Sequence, residues 1–257
     1  MDRVNAPSQA GSAARRLVKR LIPRALLPYA RGAYARYRTF GIEGVGMVVE
    51  DLIDSRKPAS RSRQYRGFVL HYSRDNFIID WVRGGRIWEE KTSDRIVAEL
   101  TKAATPIFLD VGANIGLMTL NVLAGVPSAW IHAFEPGPDQ RRLLERTIAV
   151  NRLDTRVTVH PEALGAEVGQ KPFVVHAGGY DALDGFLDTG RAAATGSVMV
   201  PVQTLDRWWH AAGCPPVSVI KVDTEGAELW VLQGGAGLLD ACQPSLFLEL
   251  QPATLHC

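Results

Sequence analysis

The sequence predicts an α/β fold, a mainly parallel sheet with helices on both faces. From Pro106 onward, short apolar runs alternate with segments of helical spacing, the pattern of a sheet assembled from strand–helix–strand units. Those runs are apolar almost throughout instead of alternating with polar residues, as strands buried on both faces are. The composition agrees: 257 residues, 46% hydrophobic and 22% charged, is ordinary for a soluble chain.

Taken in order, the sequence divides into a basic leader over 1–65, a hairpin and helix over 66–104, and the main domain over 105–257. The leader carries nine Lys/Arg and one acid between Met1 and Phe40, a charge of +8, which leaves −6 for the rest of a chain of net charge +2. Pro23 and Pro28 break it into short pieces. It reads as a basic amphipathic element lying on an anionic membrane surface, as a helical piece packed on the domain, or as an Arg-rich targeting leader. No run approaches the ~18 apolar residues of a membrane-spanning helix. The start is polar and lacks a secretory h-region. Cys214, Cys242 and Cys257 form no C-x-x-C pair, which speaks against a zinc or disulfide framework and suits a reducing compartment. A cytoplasmic location, with membrane association through the leader, is the expectation. Neither a metal nor a nucleic-acid partner is expected.

A hairpin is predicted from 67-GFVLHY-72, a turn at 73-SRDN-76 and 77-FIIDWV-82. A helix over 91–103 follows, capped by Thr92 or Ser93, with Ile96, Val97 and Leu100 on one face. The main domain then offers strand 106–111, a helix over about 115–124, strand 129–134, a helix beginning at Pro138 and stopping near Asn151, and strand 156–161. After the insert 165–217 come strand 218–223, a helix from about Ala227 and strand 245–250. The insert holds two weak strand candidates, 172–175 and 198–202, and a helix at 204–212.

Ligands of open parallel sheets bind beyond the carboxyl ends of the strands, so chemistry is sought there. The first end is Asp110-Val-Gly112-Ala-Asn114-Ile-Gly116. A dinucleotide fingerprint fails at Asn114 and Leu117, and the Lys and Ser/Thr of a P-loop are missing. An acid here repels pyrophosphate and suits an ammonium, while the N–H groups of the following helix suit a carboxylate; a glycine turn needed only for packing is the plain alternative. Glu135 ends the second strand, where an acid accepts ribose hydroxyls, or simply favours the helix that starts at Pro138. Glu162 and Ala163 stand at the third end, in position to border a base. At the fourth, Lys221 and Asp223 point to one side of their strand, and Glu225 and Glu228 crowd the next helix start.

The series DVGANIG, FEP, 151-NRL-153, EALG, TLD at 204–206, 221-KVDTEGAE-228 and 248-LEL-250 resembles the FkbM-type S-adenosylmethionine-dependent methyltransferases over about 105–250. The hairpin and 88-WEE-90 are similar to the segment preceding the core in that family. The resemblance implies a Rossmann-like, class I methyltransferase domain that O-methylates a hydroxyl of a saccharide, glycolipid or secondary metabolite. It implies that Asp110, Gly112, Asn114 and Gly116 hold the methionine end of S-adenosylmethionine, Glu135 the ribose, and that Glu162 lies near the adenine. Transfer to a hydroxyl needs alignment and removal of a proton. Asp223 is the expected base or orienting group, with Lys221, Glu225 and Glu228 beside it and His176 and His210 as alternatives. Tyr180, Trp208 and Trp209 are candidates for stacking on the acceptor. Such sheets usually close with two further antiparallel strands, whereas this chain stops seven residues past strand 245–250. The expectation is a sheet lacking them, its apolar edge covered by the hairpin, by the insert strands or by a second subunit. An inactive methyltransferase-like scaffold is the alternative that this departure raises.

Overall fold

The computed structural model describes residues 60–73, 76, 78–176, 184–186 and 194–249, all within the second of two units, Ala59–Cys257. Residues 1–59 of the basic leader, Tyr180 and the last eight residues lie outside the described residues, while residues 60–65, expected to belong to the leader, form the first strand of the hairpin.

Five strands form the central sheet: β3 (Ile107–Val111), β4 (Trp130–Phe134), β5 (Val157–His160), β9 (Val219–Val222) and β10 (Ser245–Leu248). Their spatial order is β10-β9-β3-β4-β5, and every neighbouring pair is parallel. The chain runs outward from β3 to β5, then returns to the other side of β3. This reversal places a crevice at the carboxyl ends of β3 and β9 and makes the sheet Rossmann-like.

Successive residues of β3 serve opposite layers. Phe108 joins a core with Ile96, Leu100, Met118, Val122, Leu144 and Ile148, from α2 (Glu90–Thr101), α3 (Leu117–Gly125) and α4 (Pro138–Val150). Leu109 and Val111 pack with Leu205, Trp208, Val231 and Leu238 on the other face. Those residues come from α5 (Leu205–Ala211), α6 (Glu228–Gln233) and α7 (Ala236–Cys242). Both faces are therefore covered, as the apolar strands require.

The N-terminal hairpin differs from expectation. It is formed by β1 (Ser60–Tyr65) and β2 (Phe68–Ser73), and Ile78–Arg83 is a helix, α1, instead of a strand. Arg66 (φ 53) and Gly67 (φ 89) make the two-residue turn, the left-handed pair that matches hairpin twist. Asn76 Oδ1 accepts the Ile78 N–H at 3.0 Å and so starts the helix. Nor does the hairpin cover β10. It packs on α4, where the Asn151 amide accepts from Val69 N (2.9 Å) and donates to Val69 O (2.7 Å), and Thr147 Oγ1 accepts from His71 N (2.9 Å). The Asn of the N-x-L motif thus satisfies the backbone of an edge strand.

Helix α2 begins without Thr92 or Ser93 as cap: Glu89 is its N-cap, in the left-handed region at φ 46, and Ser93 is buried within the helix. Among the described residues the insert strands do not pair with β10 either. β6 (Ala163–Leu164), β7 (Gly169–His176) and β8 (Ala194–Gln203) form a separate sheet of order β6-β8-β7. The TLD motif is a double cap: Thr204 Oγ1 accepts from Arg207 N (3.1 Å), and the Asp206 carboxylate accepts from Gly237 N (2.9 Å) and Leu238 N (2.8 Å), holding α7 against α5. Among the described residues no helix is long and apolar enough to cross a membrane.

Candidate active site

A cavity opens at the carboxyl ends of β3, β4 and β9, lined among others by Asp110, Gly112, Asn114, Glu135, Lys221, Asp223 and Glu225. The chain thereby brings together most of the residues singled out from the sequence.

The loop after β3 is shaped by its neighbours. Gly112 (φ +84) has no room for a side chain, because a Cβ would fall 1.8 Å from the Asp223 carbonyl oxygen. Gly116 (φ +92) abuts Leu144, with a Cβ at 2.6 Å from its Cδ1. Both glycines therefore answer to packing as well as to turn geometry. Asn114 holds φ 51, and its N–H donates to Glu135 Oε2 at 2.7 Å. Glu135 Oε1 accepts the Gly137 N–H, also at 2.7 Å. Glu135 thus ties the first loop to the start of α4, and burial pushes its carboxyl up to about 7 against these two hydrogen bonds.

Asp110 is 1% exposed. Its Oδ2 accepts from Thr119 Oγ1 at 2.6 Å, while Oδ1 is buried with no hydrogen-bond partner. Burial pushes its carboxyl up, and Lys221 opposes that shift. Pairing of Asp110 with Lys221 across β3 and β9 puts the two side chains on one face of the sheet.

Lys221 is buried, with Nζ 2.7 Å from Asp223 Oδ2 and 3.7 Å from Glu89 Oε2. Burial works against its charge, but Asp223, Glu89 and Asp110 outweigh it and hold the ammonium above its ordinary value. Glu89 reaches this point through a relay from the hairpin. Tyr65 Oη donates to Asn121 Oδ1 (2.7 Å) and accepts from Trp88 N (3.1 Å), while Asn121 Nδ2 donates to Trp88 O (3.0 Å). The left-handed turn at Glu89 then directs its carboxylate inward.

Glu225 lines the cavity at φ 54. Glu228 has a different place: Oε1 accepts from Thr224 N (3.1 Å), Thr224 Oγ1 (3.0 Å) and Gly226 N (3.0 Å), clamping the loop before α6. It is not among the cavity-lining residues. Glu162 also stands outside that lining, although Ala163 and Leu164 belong to it. Asp184, Phe173 and Phe186 of the insert join them there.

The remaining candidates go elsewhere. His176 has a fully buried side chain, Nδ1 3.2 Å from Asp184 Oδ1. His210 is exposed and 3.4 Å from Cys214 Sγ. Trp208 and Trp209 are core residues, the latter donating from Nε1 to Pro215 O at 2.9 Å. Neither tryptophan faces the cavity.

Glu89 and Glu249 were within quoted motifs, WEE and LEL, but spacing in sequence gave no sign that they meet. Oxygens of Glu89, Asp223 and Glu249 lie within 4.8 Å of one another, close enough to hold a cation. The Lys221 ammonium already supplies positive charge to two of the three.

Comparison with known proteins sets this geometry in context. A family model described as the methyltransferase FkbM domain matches residues 110–255. Methyltransferase sdnD of Sordaria araneosa is 28% identical over 184 residues, covering 62% of this chain and 71% of that protein. The 2-O-methyltransferase NoeI of Sinorhizobium fredii (strain NBRC 101917 / NGR234) is 25% identical over 154 residues, covering 55% of this chain and 62% of that one. Among solved structures, methyltransferase FkbM from Methylobacillus flagellatus KT aligns at 16% identity and a TM-score of 0.41, over 72% of this chain and 51% of that chain. A SAM-dependent methyltransferase from Agrobacterium tumefaciens aligns at 12% identity and a TM-score of 0.38, over 77% and 51%. The chain spans about half the length of these two solved proteins.

Proposed function

Because the chain belongs to the FkbM methyltransferase family, we propose that it moves the methyl group of S-adenosylmethionine to a hydroxyl of a small-molecule or glycan acceptor. The observation that carries this reading is Asp110 Oδ1, a buried carboxylate oxygen without a partner, in the wall of the cavity at the sheet's reversal point. An unpaired buried acceptor is costly unless a donor arrives with the ligand. The ammonium of an amino acid is such a donor.

The rest of the wall fits the same ligand. Each oxygen of Glu135 accepts one backbone N–H and keeps a further lone pair for a ribose hydroxyl. Ala163, Leu164, Phe173 and Phe186 give the cavity an apolar side suited to adenine. When bound, S-adenosylmethionine supplies a methyl group activated by positive sulfur. The chain's part is to orient the acceptor hydroxyl and take its proton; the position of Asp223 in the cavity lining supports giving it the first of these tasks.

The test is calorimetric titration with S-adenosylhomocysteine, followed by incubation with methyl-labelled S-adenosylmethionine and a panel of glycosides, phenols and polyketide alcohols. Micromolar binding and label in at least one hydroxyl are expected. No binding at millimolar S-adenosylhomocysteine overturns the reading.

A further inference from the structure

The LEL segment places a carboxylate that the sheet itself aims at the reaction region. β10 runs parallel to β9 with Leu248 opposite Val222, and Glu249 N donates to Val222 O at 3.0 Å, extending the ladder by a residue. Glu249 is thereby level with Asp223 on the adjacent strand, and residues level in a parallel pair project to the same side. Their carboxylate oxygens, with those of Glu89, fall within 4.8 Å of one another. Lys221 is engaged with Asp223 and Glu89, and Glu249 is exposed, so a proton placed on it has a direct way to water. An independent observation supports a ligand-facing wall: Asp110 is 1% exposed with Oδ1 unpartnered in the same cavity.

We propose that Glu249 is the proton acceptor of the transfer and that Asp223, held by Lys221, orients the acceptor hydroxyl. This inference rests on the methyl-transfer reading above. The proton leaves the acceptor hydroxyl for a Glu249 oxygen, and the electron pair of that O–H bond stays on the acceptor oxygen. That oxygen forms the bond to the methyl carbon as the carbon–sulfur pair departs with sulfur, leaving a neutral thioether and an ether. Although the residue is exposed, its carboxyl group is partly withdrawn from water beside Asp223 and Glu89, and this partial desolvation with their charges pushes it up to about 7 while Lys221 opposes, a range that suits a base working near neutrality.

The experiment pairs Glu249→Gln with Glu89→Gln. In ligand-free protein labelled with carboxyl-carbon glutamate, NMR titration should show two carboxyls changing state near pH 7, those of Glu135 and Glu249. One of the two should be lost in Glu249→Gln, and that same one should move downward in Glu89→Gln. S-adenosylhomocysteine affinity should stay within about twofold in Glu249→Gln. With the best panel acceptor, kcat should fall about 100-fold and the acid limb of the pH profile should vanish. Wild-type kcat and an intact acid limb in Glu249→Gln would overturn this inference while leaving the methyl-transfer reading standing. Absence of transfer by the wild-type chain would overturn both.

Discussion

The ammonium of Lys221 lies 2.7 Å from the carboxylate of Asp223, two residues further along the same chain, and the pair sits at the floor of a cavity walled by acids. Asp110, Glu89 and Asp223 all raise the charge state of that one lysine. Removing it by Lys221→Met leaves several carboxylates partly buried without a counter-charge. The expected loss is about 3–5 kcal/mol at pH 7.5, read from urea unfolding. It should shrink at pH 5, where protons can replace the missing cation. An equal loss at both pH values would mean that packing of the lysine stem, not its charge, is what matters.

Glu135 makes a second, independent prediction. Its carboxyl joins the Asn114 and Gly137 N–H groups, so Glu135→Ala orphans two donors and is expected to destabilise by about 1–3 kcal/mol as well as weaken S-adenosylhomocysteine binding about tenfold. Its carboxyl stands at about 7 in the folded chain and at 4.5 ordinarily. Between these values the folded form binds more protons than the unfolded form, so stability falls as pH rises through the interval. Glu135→Gln should remove part of this slope, Glu249 supplying another part in the same window. Urea midpoints from pH 4.5 to 8 measure it.

Much of this site was legible in the sequence because strand ends in a parallel sheet converge by topology. Asp110, Glu135 and Asp223 each end a strand, and the structure lines one cavity with all three. What could not be read were the partners delivered by long-range packing. Glu89 depends on a left-handed turn held by Tyr65 and Asn121, 56 residues apart in sequence. Glu249 depends on the register of β10 against β9. The hairpin was misplaced because the apolar run 77-FIIDWV-82 suits a strand and a buried helix equally, and Asn76 decided the matter as a cap. Trp208 and Trp209 looked like ligand platforms only because aromatic residues carry no sign of which face they will join.

Gly112 tests whether the loop after β3 is shaped by the sheet. A methyl group there meets backbone, the Asp223 carbonyl at 1.8 Å, and φ is +84. Gly67 has nearly the same φ, +89, with nothing within 4 Å. Gly112→Ala should therefore lose about 2–4 kcal/mol through strain and overpacking together, and Gly67→Ala about 1 kcal/mol through strain alone. Thermal melts of the two variants side by side give the difference. S-adenosylhomocysteine binding should weaken only in Gly112→Ala. Equal melting losses would mean that the β3 and β9 ends can move apart without penalty.

The last prediction concerns a pair of imidazoles behind the cavity wall, where His160 stacks on the lining residue Phe134. His132 Nδ1 and His160 Nε2 are 3.0 Å apart on neighbouring strands, and Trp208 packs on both rings. Burial pushes each below its ordinary 6.5 to about 4, and for His132 the neighbouring His160 adds to the shift. The folded chain thus keeps the rings neutral over a range where the unfolded chain protonates them. Stability should fall as pH drops from about 6.5 to 4, by at most about 3 kcal/mol for each ring. The carboxyls of Glu135 and Glu249 work in the opposite sense over much of this range, so the wild-type curve mixes the two. A His160→Gln variant isolates the imidazole contribution: its urea midpoint should lose less than the wild type's between pH 6.5 and 4.5. The two curves running parallel would mean that the histidines ionise alike in the folded and unfolded chains.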